Sequence, residues 1–196
     1  AFYKEMDILI MGRKTYDEIK DMDNLADFYD EKKNYVLTHQ EIEHKIKRIA
    51  YQIYETFVDE EEIVLAGITK NGYVFAQKIA AALTLIAPIK VSLCEVELNK
   101  HQPDLAIRTS LAKENYTDKG LVLVDDVLNS GTTLIYAVRH FLEVPLKKFK
   151  TAVLIDRNHK KYPVKADFKG ISLSTSLFEH VQVVFEDSGN SYAYLS

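Results

Sequence analysis

Leu121–Leu134, LVLVDDVLNSGTTL, is the stretch around which the rest of the chain is organised. Leu121, Val122, Leu123 and Val124 make a short apolar run with β-branched residues, the pattern of a strand buried on both faces of a parallel sheet. Asp125 and Asp126 end that run, and the strand is expected to stop there, where solvent begins. Asn129, Ser130, Gly131, Thr132 and Thr133 then form a small hydroxyl-rich turn that opens an apolar helix over 134–142. Such a turn presents backbone N–H groups and hydroxyls at a helix N-terminus, which is a ready anion site and most often a phosphate site.

Two acids followed at once by a phosphate cradle call for a ligand that is both polyol and phosphate. A ribose 5-phosphate meets that demand, its 2′- and 3′-hydroxyls donating to the carboxylates while the turn holds the 5′-phosphate. The plain alternative is an ordinary strand, turn and capped helix with solvated acids. It requires the two-acid strand end and the glycine-hydroxyl turn to coincide by accident. VLVDDVLNSGTT resembles the ribosyl-phosphate loop of the type I phosphoribosyltransferases. That resemblance implies an α/β fold with a mainly parallel central sheet, helices on both faces, a small hood and a C-terminal hairpin.

Composition bounds the reading. With 196 residues and 47% hydrophobic content the chain suits one domain with an appendage. A net charge of −4 gives no general attraction to nucleic acid, so an RNA site would have to be a local patch; RNA is admitted as a partner but not expected. The single cysteine, Cys94, sits in an apolar strand-like context and reads as a small buried hydrophobe. No apolar run approaches the roughly 20 residues that span a membrane, and no signal peptide is visible, so the expected compartment is the cytoplasm.

Residues 1–38 are expected to form an extension and 39–196 the main domain. Within the first stretch, DILIMGRKTYDEI followed by KKNYVLT resembles the strand, turn and helix at the cofactor-phosphate site of dihydrofolate reductase-like proteins, including riboflavin-pathway reductases. Any anion bound there would meet Gly12, Arg13, Lys14 and Thr15. A lone strand and helix make no dinucleotide pocket, so the expected role is structural. A strand over 34–38 follows. Then Ile42, Ile46, Ile49, Ile53 and Phe57, spaced by threes and fours, predict an amphipathic helix from His39.

A strand over 63–66 leads into Gly67-Ile-Thr-Lys-Asn-Gly72, where glycines at both ends allow positive φ and close backbone approach. In the resembled family the loop at this point binds the pyrophosphate of the sugar donor. The resemblance therefore assigns that role to Thr69, Lys70, Asn71 and Gly72, although Asn71 stands where many relatives place Arg. A helix over 73–85 and a strand over 89–97 come next. Residues 98–119 lack periodicity and are expected to form a flexible loop that closes over the donor, with Arg108 or Lys113 reaching its phosphates.

After a strand over 151–155, DRNHKKYPVKADFKGISLSTS resembles the pyrimidine-operon attenuation branch of the family, whose members also have uracil phosphoribosyltransferase activity. Arg157, Asp167, Phe168 and Lys169 are thereby expected at the base wall and hood, with Asn158 and Lys169 departing from the branch's Gly and Val. His159 could serve as a catalytic or ligand residue, but in a basic surface run the solvated loop residue is the favoured reading. A hairpin over 181–186 and 191–195 is expected to complete the sheet.

The resemblance implies Mg²⁺-dependent transfer of ribose 5-phosphate from 5-phosphoribosyl 1-diphosphate to a nucleobase, with uracil as the expected acceptor and UMP and pyrophosphate as products. Asp125 and Asp126 would be the catalytic pair, and Ser130–Thr133 with Asn129 the phosphate anchor. Magnesium would be held by substrate oxygens rather than a cluster of protein ligands. A homodimer or larger homo-oligomer is implied as well. Two other readings stay open: a nucleotide-sensing RNA-binding regulator using Lys45, Lys47, Arg48, Lys147, Lys148 and Lys150, and a binding protein without turnover.

Overall fold

A computed structural model describes residues 34–99, 106–174, 179–186 and 189–195. Gly12, Arg13, Lys14 and Thr15, and the strand and helix expected around them, lie outside the described residues. Two compact units divide the chain: Glu43–Leu173 is one, and residues 1–42 with 174–196 are the other.

The larger unit is built on a six-stranded sheet. In chain order its elements are α1 (His39–Thr56, which begins just before the unit), β2 (Glu62–Ile68), α2 (Asn71–Ile86), β3 (Lys90–Glu97), β4 (Arg108–Thr109), β5 (Gly120–Leu128), α3 (Thr132–Phe141), β6 (Lys148–Arg157) and β7 (Phe168–Leu173). The strands lie in the order β4-β3-β2-β5-β6-β7. All neighbours are parallel except β3 and β4. The chain leaves β2 through α2 for β3 on one side, and leaves β5 through α3 for β6 on the other. The order therefore reverses between β2 and β5, which puts a crevice outside the carboxyl ends of those two strands.

Strand alternation sorts the core into two layers. Val64, Ala66, Ile68, Leu121, Leu123, Cys94 and Val96 pack with Leu134, Ala137 and Phe141 of α3. Residues of the opposite parity, Ile63, Leu65, Val122 and Val124, are also fully buried. On their side a Cβ at Gly67 would meet Tyr73 and Ala76 of α2, so α2 covers that face. Cys94 is a buried free thiol, and burial pushes its pKa up, as suits a small hydrophobe. On α1 the isoleucine stripe is buried from Ile42 to Ile53, with Phe57 after it. Thr38 and Glu41 begin that helix with a capping box: the Thr38 N–H donates to Glu41 Oε2 at 2.8 Å, and the Glu41 N–H donates to Thr38 Oγ1 at 3.4 Å.

Several expectations are corrected. β5 does not stop at Val124 but runs through both acids to Leu128. α3 starts two residues before the expected Leu134. Part of 98–119 is ordered: β4 pairs with Val96 and Glu97 of β3, and a 3-10 turn covers Lys113–Asn115. The terminal hairpin does not complete the central sheet. Its strands β8 (Val181–Phe185) and β9 (Ser191–Leu195) form a separate antiparallel sheet with β1 (Asn34–Leu37), in the order β1-β9-β8. A physical reason is visible on β7, the outer strand of the central sheet. Arg48 Nη2 donates to the carbonyls of Lys169 at 2.8 Å and Gly170 at 2.5 Å, so a side chain already covers part of that strand's backbone.

Candidate active site

The two acids lie in the carboxyl half of β5, and the strand's alternation separates them. Asp126 has the parity of Val122 and Val124 and turns towards α2, where the side-chain amide of Asn71 donates to Asp126 Oδ2 at 3.0 Å. Asp125 Oδ1 accepts the Asp126 N–H at 3.0 Å. The residues are 4% and 8% exposed, so both carboxylates are largely withdrawn from bulk water rather than standing at an open strand end. Asp126 Oδ1 takes no hydrogen bond from any described residue and remains available to a ligand.

The turn after β2 approaches this pair closely. A Cβ at Gly72 would lie 3.0 Å from the Val124 carbonyl oxygen and 3.1 Å from Asp125 Oδ1, so only glycine lets the start of α2 come so near to β5. The positive φ expected of the glycines falls on Lys70 instead, at φ 67° and ψ −118°. Those are the angles of the first central residue of a type II′ turn, a glycine position, and a lysine there is strained. Thr69 closes the turn on the neighbouring strand, its N–H and hydroxyl both donating to the Val96 carbonyl, at 2.9 and 2.6 Å. Lys70 is exposed. It is a cation carried on a strained backbone just past the carboxyl end of β2.

After β5, Gly131 adopts φ 81° and ψ 0° as the N-cap of α3, and its side has no room for a Cβ, which would overlap Val164 Cγ2. Ser130 Oγ and Thr132 Oγ1 share a hydrogen bond of 2.9 Å. The Thr132 N–H approaches Ser130 Oγ at 3.3 Å. Ile135 N–H to Gly131 O, at 3.0 Å, is the first helical bond of α3. The amides of Thr133 and Leu134 precede it and point out of the helix end, where the helix dipole adds positive potential. Hydroxyls, amides and dipole thus lie together at one helix end, the arrangement that suits a phosphate. Asn129 is exposed at its rim.

Other expected site residues are not all brought together. Arg108 pairs with Glu97 at the carboxyl end of β3 and is exposed on the site's side of the sheet. Lys113 is elsewhere: it bonds Glu143 Oε2 at 2.6 Å, just past the C-terminus of α3. The phosphate turn is at the other end of that ten-residue helix, roughly 15 Å away. Register also separates the base-wall residues. Phe168 pairs with Ala152, while Arg157 pairs with Leu173. Asp167 and Phe168 therefore stand toward the amino ends of the strands, where Asp167 accepts from Lys150 and from the Thr151 N–H. Arg157 is buried at the carboxyl end of β6, and Lys169 reaches the fully buried Asp156 at 3.4 Å. His159 is half-buried in the loop that follows.

Sequence reasoning did not single out Asp156, which Lys160 also meets at 3.1 Å. An apolar run closing on an acid before a lysine-rich loop was the available signal.

The Phosphoribosyl transferase domain family matches residues 33–187. The chain belongs to the phosphoribosyltransferases. As a phosphoribosyltransferase it is 33% identical over 148 residues to the Bifunctional protein PyrR of Streptococcus agalactiae, covering 74% of this chain and 86% of that one. It is 32% identical over 170 residues to the Bifunctional protein PyrR of Clostridium acetobutylicum, covering 80% and 96%. In fold it is similar to a hypoxanthine-guanine phosphoribosyltransferase of Bacillus anthracis, with a TM-score of 0.63 and 24% identity over 76% of this chain and 85% of that one. The hypoxanthine phosphoribosyltransferase of Trypanosoma cruzi gives a TM-score of 0.65 at 18% identity, covering 82% and 95%. Phosphoribosyltransferases move a 5-phosphoribosyl group from 5-phosphoribosyl 1-diphosphate to a nitrogen base. The parallel sheet, the acid pair and the amide-lined turn of this chain suit that donor.

Proposed function

We propose that this phosphoribosyltransferase converts uracil and 5-phosphoribosyl 1-diphosphate to UMP and pyrophosphate, and that the donor's ribose is seated on Asp125 and Asp126 with its 5′-phosphate in the Ser130–Thr133 turn. The observation that carries the reading is the adjacency, within one strand-turn-helix, of two enclosed carboxylates and a helix end whose Thr133 and Leu134 amides take no partner among the described residues. Similarity to proteins named PyrR, together with the run from Asp156 to Ser176, supports a pyrimidine acceptor.

In this reading the protein chiefly positions and stabilises charge, because the sugar passes through an oxocarbenium-like state and needs little acid or base help. Asp126, held by Asn71, and Asp125, held against the Asp126 amide, accept from the ribose hydroxyls and favour the positive charge that develops beside them. Lys70 and the adjacent amides of the β2–α2 turn meet the departing pyrophosphate. The free Oδ1 of Asp126 is a hard oxygen donor that fits magnesium or a magnesium-bound water, and the ion would neutralise the diphosphate. Arg108, exposed beside Glu97 at the carboxyl end of β3, would meet the donor's phosphates from the loop side.

The test is a screen of uracil, hypoxanthine, guanine, xanthine and orotate with labelled donor and Mg²⁺. Uracil alone, or uracil far ahead of the rest, is expected to give nucleotide. A purine as the best acceptor would overturn the uracil assignment, and no product from any base would remove the enzyme.

A second reading, an RNA-binding regulator that senses the nucleotide, is supported by the similarity to proteins named bifunctional PyrR. Of its cations, Arg48 bonds β7, and Lys147, Lys148 and Lys150 contact Glu60, the Thr56 carbonyl and Asp167 at 2.9, 2.6 and 2.9 Å, surface pairings too weak to withhold lysines from a phosphate backbone. Lys45 and Lys47 remain on α1.

A further inference from the structure

The phosphate turn does not hold its shape alone. The carbonyl of Ser130, at the top of the turn, accepts from the backbone N–H groups of Lys161 at 2.8 Å and Tyr162 at 3.2 Å. Both donors belong to the connection between β6 and β7. The same connection seats Val164 Cγ2 against Gly131, where a Cβ would otherwise be. It is tied down in turn at its beginning: Lys160 meets Asp156, on the last turn-facing residues of β6, at 3.1 Å, and Lys169 at the start of β7 reaches the same carboxylate at 3.4 Å. Asp156 is fully buried, so its charge is lodged where only those ammonium groups compensate it among the contacts described. Losing one of them leaves a buried carboxylate under-compensated, a penalty that the loop can relieve only by moving.

We propose that the Asp156–Lys160 ion pair and Val164 are positioning residues for the 5′-phosphate: they moor the β6–β7 connection, which in turn fixes the Ser130–Gly131 peptide so that the amides and hydroxyls of the turn converge on one phosphate. None of these three side chains touches the ligand in this scheme. The inference rests on the phosphate reading given above. Its chemical consequence is selective. The brace acts on the turn that holds the phosphate and leaves Asp125 and Asp126, fixed by Asn71 and by the strand itself, where they are. Affinity for a nucleoside monophosphate should fall when the mooring is cut, while affinity for the corresponding nucleoside should not.

The experiment compares UMP and uridine binding by titration calorimetry, uridine by displacement where it is weak, for the wild-type protein and for Lys160→Met, Lys160→Arg, Asp156→Asn and Val164→Ala. Wild type is expected to bind UMP much more tightly than uridine; equal affinities would sink the phosphate reading itself, independently of the brace. Given that preference, Lys160→Met, Asp156→Asn and Val164→Ala are each expected to weaken UMP about tenfold with uridine unchanged, the order of a lost charge-assisted bond, and Lys160→Arg is expected to restore it. Asp156→Asn separates mooring from direct contact: if Lys160 met the phosphate itself, removing the nearby negative charge would tighten UMP binding. Tighter or unchanged UMP binding in Asp156→Asn, or parallel losses of UMP and uridine, would overturn the proposal.

Discussion

Asn71 Nδ2 donates to Asp126 Oδ2 at 3.0 Å, joining the turn after β2 to the acid pair of β5 across 55 residues of sequence. Asn71, which stands where many members of the resembled family place arginine, is thereby committed to orienting the Asp126 carboxylate. One side-chain bond links the β2–α2 turn to the acid pair.

Removing that link has a defined cost. Asn71→Ala deletes a hydrogen bond to a charged group, worth about 1.5–3 kcal/mol. The expected result is a fall of at least about tenfold in kcat/KM for 5-phosphoribosyl 1-diphosphate. Steady-state kinetics with the donor varied will check it; an unchanged value would show that Asp126 is oriented by other means.

Gly72 is the steric counterpart. A Cβ there would press on the Val124 carbonyl and on Asp125 Oδ1, at 3.0 and 3.1 Å, so the strand backbone and the carboxylate must each give by a few tenths of an ångström. Gly72→Val is expected to cost about 1–3 kcal/mol in stability by overpacking. It should also abolish nucleotide formation at temperatures where the variant is still folded. Circular dichroism melts paired with turnover will distinguish the two effects.

At the opposite, amino-terminal end of the strands, Glu62 accepts from Ser92 at 2.7 Å and from Lys119 at 2.9 Å. Those bonds hold its pKa at about 2, below the ordinary 4.5. A depressed carboxylate stabilises the fold above its unfolded pKa, and that contribution is lost as the pH falls from about 4.5 toward 2. Glu62→Gln should therefore lower stability by about 1 kcal/mol at neutral pH and flatten the acid limb of the stability curve. Urea melts between pH 7 and 3 measure both; parallel curves for the two proteins would contradict it.

Arg48 offers a test of the basic face. Its bonds to the Lys169 and Gly170 carbonyls are structural, so Arg48→Ala is expected to destabilise the fold by about 1–2 kcal/mol. A salt-sensitive gel shift with RNA, lost in Lys45→Ala/Lys47→Ala, would instead support the regulatory reading.

Much of the candidate site is local in sequence and therefore legible there. β5, its acids and the turn into α3 are one continuous stretch, and the isoleucine stripe of α1 declares its buried face by spacing alone. What could not be read depends on contacts distant in sequence. The apolar run placed Val122 and Leu123 in a strand, but nothing local showed that Asp126 would continue it, because the partner that shelters its carboxylate is Asn71. Arg48 looked like one of a row of surface cations; its role appears only when β7 arrives beside it. β4 is two residues long, too short for any periodicity, and is fastened by Ser110, whose N–H donates to the Glu95 carbonyl at 2.9 Å and whose Oγ accepts from the Glu95 N–H at 2.8 Å. The positive φ settled on Lys70, although glycine composition pointed to its neighbours.

The most direct measurement is nucleotide formation from labelled 5-phosphoribosyl 1-diphosphate, uracil and Mg²⁺ by wild type and by Asp126→Asn, with folding of both verified by thermal melts. Wild type is expected to produce UMP and pyrophosphate in equal amounts, and Asp126→Asn to lose at least about two orders of magnitude in rate, as expected of removed electrostatic stabilisation. A folded Asp126→Asn that turns over like wild type would contradict the seating of the pentose on the paired acids of β5.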